Sequence, residues 1–170
     1  MTNQQWELLL STVHGKTPEK PITGFIVDSP WIPGWAGVST LQFYSSEEIW
    51  FQTNKKVIET FPDITFLPGF WSEFGMCTEP SAFGAKLVWN SYNLPHAERI
   101  MTDISEAANL KIPNPKTDGL LPFVIQRLAN YQKPINDMGH DIKFAIARGP
   151  LNIASFLMGT TELMMGFMMD

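Results

Sequence analysis

The sequence predicts an α/β fold with a parallel sheet, built from repeated β-to-α steps of the kind that make a barrel. Short β-branched and aromatic runs alternate with longer segments of helical periodicity, and the runs break off at proline, glycine or aspartate. Residues 141–170 form one complete step: a strand, an Arg148-Gly149-Pro150 turn and a helix. Residues 1–170 are read as one domain, of which residues 1–21 are a leading helix and loop.

Taken in order, Trp6, Leu9, Leu10 and Val13 recur at helical spacing, and Gly15 closes the segment. After the loop between Pro18 and Pro21, Ile22 to Val27 reads as the first strand, stopped by Asp28-Ser29-Pro30. Residues 30–37 are rich in proline, glycine and tryptophan and read as a shaped loop. Ser45 with Glu48 fits a capping box, and Ile49, Trp50, Thr53, Val57 and Phe61 share one face of the helix that runs to Pro62. Asp63 to Leu67 reads as the second strand. Partial alternation from Thr78 to Leu94 predicts an extended insertion or hairpin, followed by a short helix over His96 to Ala108. Thr117 or Asp118 caps the next helix, with Pro122 in its first turn and Leu121, Val124, Ile125 and Leu128 as the buried stripe. Ile142 to Ala147 reads as the third strand, and Pro150 opens a Met-rich helix to the end of the sequence. Its residues Leu163, Met164, Phe167 and Met168 are expected to need cover from outside the chain.

Composition narrows the function classes. A chain of 170 residues that is 44% apolar and 17% charged can bury a real core. The net charge is -5, and Arg99, Arg127 and Arg148 are scattered, so no basic stripe exists to neutralise a nucleic-acid backbone. Cys77 is the single cysteine, which excludes an internal disulfide. Residues 1–20 lack the pattern of a signal peptide, and the expected compartment is the cytoplasm. Asn152, Thr160, Thr161 and Glu162 interrupt the apolar run from Leu151 to Met169, which reads as a buried helix and not as a membrane span.

Candidate residues follow from position. Asp28 ends the first strand, where a carboxylate orients a substrate or acts as a base; the alternative role is that of a turn residue. Trp31 and Trp35 flank a Pro-Gly turn and form either the apolar wall of a substrate pocket or the packing under a loop. Glu73 and Glu79 offer carboxylates near the second step. Arg148 directly follows the third strand beside Gly149, where a guanidinium holds a phosphate or carboxylate, or else forms a salt bridge closing neighbouring loops. His140 precedes a strand and reads as solvated or structural, and Cys77, lacking metal-ligand spacing, as a structural thiol. The cluster Met158, Met164, Met165, Met168 and Met169 is adaptable apolar filler.

The order of Phe61-Pro62-Asp63, Glu73-Phe74-Gly75-Met76, Glu79-Pro80-Ser81-Ala82-Phe83-Gly84, Asp118-Gly119-Leu120-Leu121-Pro122 and Arg148-Gly149-Pro150 resembles the uroporphyrinogen decarboxylase family, over its amino-terminal half. The resemblance implies a partial (β/α)8 TIM barrel: about the first three β/α units, with a leading helix and an extended insertion. Its active site would lie at the carboxyl ends of the strands. Decarboxylases of the family carry an arginine-containing loop after the first strand, where this chain has Trp31-Ile32-Pro33-Gly34-Trp35, and an aspartate beyond the second strand, where it has Phe66-Leu67-Pro68-Gly69-Phe70. The chain therefore looks closest to the cobalamin-dependent methyltransferase branch. That branch implies a methyl transfer between a small methylated substrate or thiol and a corrinoid carried by a partner protein. It also implies zinc, held in the carboxyl-terminal half by ligands this chain lacks. This chain alone is expected to bind neither group and to be inactive as an isolated half. The partners implied are a corrinoid protein, a complementing half-barrel or a second copy meeting it through open sheet edges. Two alternatives stand beside this reading: a uroporphyrinogen decarboxylase, and a non-catalytic subunit completing a barrel with another chain.

Overall fold

In the computed structural model, which describes residues 1–169, helices and strands mix as the sequence predicts, but every strand is only two residues long. In chain order the first elements are α1 (Asn3–Val13), β1 (Gly24–Phe25), α2 (Ile32–Ala36), α3 (Thr40–Ser45), α4 (Glu47–Thr60) and β2 (Thr65–Phe66). There follow α5 (Thr78–Ala82), β3 (Leu87–Val88), β4 (His96–Ala97), a 3₁₀ helix (Ile104–Asn109), α6 (Leu121–Asp137), α7 (Pro150–Met158) and α8 (Thr160–Met169). The chain divides into two units: Met1–Ser72 with Arg127–Ile146, and Glu73–Gln126 with Ala147 onward.

The first unit contains the parallel pair. β1 and β2 lie side by side with Gly24 opposite Thr65 and Phe25 opposite Phe66. The Thr65 N–H donates to the Thr23 carbonyl at 2.9 Å and the Leu67 N–H to the Phe25 carbonyl at 2.8 Å, extending the ladder at both ends. Parallel neighbours need a long crossover, and α4 supplies it. Ser46, one residue later than expected, caps α4 by accepting the Ile49 N–H, because Ser45 is used to finish α3. The expected face of α4 is buried at Trp50, Thr53 and Val57, and Phe51 and Asn54 join it. Trp50 is fully buried, and its indole N–H donates to the Trp71 carbonyl at 2.8 Å. Phe51 stacks on Phe70 and lies 4.8 Å from Tyr131, centroid to centroid.

Several expectations are corrected here. Residues 30–37 hold a short helix, α2, because Pro33 sits in its first turn and Gly37, at φ 78°, closes it in the left-handed region. The buried stripe of α6 is rotated: Arg127 and Ile135 are its buried residues, whereas Ile125 is half exposed. The cause is a polar demand, since Arg127 donates to the Tyr44 carbonyl at 2.7 Å and lies over Trp50 at 5.4 Å. Residues 142–147 form no strand. That stretch is tied to the start of the chain by anchors other than a ladder: Met1 and Asp141 exchange main-chain hydrogen bonds, Lys143 reaches Asn3 at 2.7 Å, and Phe144 packs on Trp6. No closed ring of strands forms among the described residues.

In the second unit β3 and β4 pair antiparallel, so a hairpin forms, but it is displaced from the expected 78–94 span: residues 78–82 are helix α5, and the return strand lies at His96–Ala97, where a helix was expected. The helical part of that expectation shifts to the 3₁₀ helix, which Asp103 and Glu106 cap reciprocally. The final helix is two helices. Gly159, at φ 106°, ends α7, and α8 starts immediately after it. Leu163, expected to need cover from outside the chain, is instead buried by the chain itself with Ala85, Met101, Leu157 and Met158, while Met164, Phe167 and Met168 are exposed. No helix among the described residues is long and apolar enough to cross a membrane.

One glycine sets a close approach. Gly119 has φ 56°, and a Cβ there would stand 2.5 Å from the Ala82 nitrogen and the Ser81 carbonyl carbon. Replacing it by alanine combines left-handed strain with a backbone clash, so Gly119→Ala is expected to lower stability by about 2–4 kcal/mol in urea titration. A loss under about 0.5 kcal/mol, the range of neutral surface changes, would contradict the packing of the 118–121 turn on α5.

Candidate functional site

The densest polar cluster lies in the second unit. Arg148 sits just before α7, whose first residue is Pro150, and its guanidinium turns back onto the segment that leads into α5. Arg148 Nη1 is 2.9 Å from Glu73 Oε2, 3.5 Å from Glu79 Oε2 and 3.2 Å from the Gly75 carbonyl. The Arg148 backbone N–H donates to Glu79 Oε1 at 2.8 Å. Both glutamates are buried, at 6% and 9% exposure, and Phe156 lies under the guanidinium at 5.9 Å. Thr78 fixes the turn between the acids: it accepts the Phe74 N–H at 2.8 Å and donates to the Gly75 carbonyl at 3.2 Å. Cys77 is fully buried beside them, and burial pushes its thiol up to about 11, against the opposing pull of Arg148.

Of the two roles open to Arg148, the geometry displays the salt bridge closing neighbouring loops. Two carboxylates already neutralise the cation, and together the three side chains carry one formal negative charge. Glu73 is thus bound to Arg148, and Glu79, the second carboxylate offered by the sequence, belongs to the same cluster through the Arg148 N–H and a longer ion pair. No spacing rule links these residues, since the Glu73 to Arg148 contact spans 75 positions.

The other candidates are in the first unit. Asp28 acts on its own turn: its carbonyl accepts the N–H groups of Trp31 and Ile32, and its carboxylate accepts the Ser29 N–H. Trp31 and Trp35 stack at 5.2 Å, and both contact Phe61. Trp31 faces a hollow of about 290 Å³ whose other walls are Phe25, Val27, Phe61, Ile64 and Phe66. Trp35 stands behind Trp31, with Lys56 over its ring at 5.1 Å. The hollow runs along the flank of the strand pair, from Phe61 and Ile64 ahead of β2 to Val27 and Trp31 beyond β1. An all-apolar site of this size admits one ring or a few methyl groups and is far too small for a corrin macrocycle.

His140 is half-buried and lines a hollow of about 380 Å³ with Thr2, Gln5 and Glu59; burial and the nearby amino terminus lower its pKa. Among the described residues no group of three His, Cys, Asp or Glu side chains is placed to hold a metal ion.

Motif strings far apart in sequence meet in the second unit. Arg148-Gly149-Pro150 is tied to Glu73-Phe74-Gly75-Met76 and to Glu79 through the ion pairs. The Leu120 N–H donates to Ser81 Oγ at 2.8 Å, joining Asp118-Gly119-Leu120 to the 79–84 string. Phe74 also packs edge-on against Phe123 at 6.5 Å. No protein-family model matches this chain, and no curated protein matches it.

Removing one partner of a buried ion cluster leaves uncompensated charge, so Arg148→Met is expected to cost about 3–5 kcal/mol in chemical denaturation. Adding Glu73→Gln and Glu79→Gln should recover part of that loss, and an unchanged triple variant would contradict coupling among the three. A second expectation concerns Cys77. Its folded pKa, about 11, lies above the ordinary 9.0, so its contribution is intact below pH 9 and lost as the pH rises towards 11. Wild type should lose about 2 kcal/mol more than Cys77→Ala across that window. The native thiol should also ignore a disulfide reagent at neutral pH until urea unfolds the chain; rapid native labelling would contradict its burial.

Proposed function

We propose that this chain is part of a barrel of the uroporphyrinogen decarboxylase type, of the methyltransferase branch. In this reading it binds the methyl donor, a methylated aromatic compound, in the apolar hollow beside Trp31. The observation that carries the reading is that four of the five motif strings, all but Phe61-Pro62-Asp63, meet in one unit, where Arg148 holds Glu73 and Glu79. Strings whose order resembles a family gain weight when a fold also brings them into contact. The parallel β1–β2 pair with its helical crossover is the local geometry that a β/α barrel repeats.

The substrate class follows from the hollow. Its apolar walls offer burial and ring stacking but no partner for a charged group, which suits a methoxy-substituted ring. A corrinoid does not fit there and would be carried by a partner protein. The lyase alternative is the weaker one, because a porphyrinogen polycarboxylate needs free cations and Arg148 is already held by two carboxylates. Further β/α units, on this polypeptide or another, would complete the sheet: among the described residues β1 has β2 as its one strand neighbour, and Phe25 and Ile26 are 52% and 68% exposed.

Titration with methoxybenzene, followed by tryptophan fluorescence and calorimetry, tests the site. Saturable binding is expected, weakened about tenfold or more by Trp31→Ala through loss of the stacking wall. Absence of saturation, or binding that ignores Trp31→Ala, would remove the substrate assignment. Conversion of uroporphyrinogen to coproporphyrinogen by the chain would replace the methyltransferase reading with the lyase one.

A further inference from the structure

The carboxyl-terminal helix pair of the second unit borders a hollow of about 540 Å³ that the reading above does not use. Met158, Met165, Met169 and Ile104 give it apolar walls, and Asp103 and Glu162 stand at its edge. Gly166 lets α8 come close to the 3₁₀ helix, since a Cβ there would stand 3.1 Å from Ile104 Cδ1. Met165 and Met169 are 52% and 82% exposed, and Met164, Phe167 and Met168 continue the apolar surface around α8. Methionine side chains are flexible and polarisable, and repack readily around an apolar partner.

Charge decides which partner. Asp103 is exposed and Glu106 half-buried, and both are held below the usual carboxylate range, Asp103 by hydrogen bonds from Ser105 and Glu106 by those from Thr102 and the Asp103 N–H. Glu162 pairs with Arg99 at 2.9 Å, which leaves Asp103 on the rim, with Glu106 next to it through its bonds to the rim residues Thr102 and Asp103, as the net charge there. A second copy docking on the same face would bring two acidic rims together, in a chain whose net charge is already -5. An anionic membrane surface is repelled for the same reason, and residues 149–170 contain no lysine or arginine to anchor α8 on lipid.

We propose that the methionine-lined hollow along α8 is a docking groove for a basic amphipathic helix of a partner protein. Apolar residues at helical spacing enter between Met158, Met165 and Met169, and flanking lysines or arginines meet Asp103 and Glu106. A helix of ten residues such as α8 is about 15 Å long, enough to contact two to three turns of a partner helix.

The test uses a synthetic helical peptide of leucine and lysine and its twin with every lysine replaced by glutamate. The lysine peptide should bind the full chain one to one, more weakly as salt rises, while the glutamate peptide should not bind. The double variant Met165→Gln with Met169→Gln should weaken binding about tenfold or more through lost apolar burial. Because both side chains are largely exposed, circular dichroism should stay unchanged. Asp103→Asn with Glu106→Gln should flatten the salt dependence while the methionines remain. Equal binding of both peptides, or full binding by the methionine variant, would overturn the proposal. A dimer that masks α8, or uptake by anionic vesicles, would also overturn it by supplying a different occupant.

Discussion

The second unit depends on a buried guanidinium. Arg148 gathers Glu73, Glu79 and the Gly75 carbonyl around one cation, and its own N–H closes the arrangement onto Glu79. Taking three charges out of water is costly, and mutual attraction repays the cost only where the geometry is tight and further hydrogen bonds assist. Here the assistance is local. Thr78 holds the turn that presents both acids, Phe156 covers the guanidinium, and Cys77 fills the remaining space as a neutral thiol. A cluster of this kind contributes less to net stability than to fixing which loop meets which.

The first unit repeats the device with different chemistry. Arg127 is 2% exposed, donates to the Tyr44 carbonyl and lies over the Trp50 ring. Burial lowers its pKa to about 10, while Glu47 and the two tyrosines nearby pull the other way, so it stays charged at neutral pH. The arginine sets the rotation of α6 and brings Tyr131 against Phe51 and Trp50. Arg99, by contrast, makes an exposed pair with Glu162, which salt screens and which contributes little to stability.

What could be read from the sequence was local. Helix α1 and the crossover α4 announce themselves through spacing and caps, and the β-branched runs at 22–27 and 63–67 do become parallel neighbours. What escaped was nonlocal or disguised. The run at 142–147 has strand composition, but a strand exists only where a ladder partner lies beside it, and the stretch is anchored to Met1, Asn3 and Trp6 instead. The rotation of α6 follows from a buried arginine that hydrophobic periodicity counts as surface. The break at Gly159 did leave a signal, a glycine followed by Thr160-Thr161-Glu162, hidden by the apolar residues around it. For the site, position picked out Arg148, Glu73 and Glu79. Their meeting, and the tie of Ser81 to Leu120, depend on contacts across 39 to 75 residues that no local pattern encodes.

These constraints join the motif strings of the second unit into one object, and the structure also holds an apolar hollow beside Trp31 and one of mixed lining along α8. The object stands or falls with the clamp. Amide hydrogen exchange at Arg148 probes it in the unmodified protein, because that N–H is directed at a buried carboxylate. The account predicts that it exchanges as slowly as amides of the unit's core such as Met101, whose N–H is bonded to the Leu157 carbonyl. Exchange at the rate of a freely exposed loop would show that the clamp is not formed.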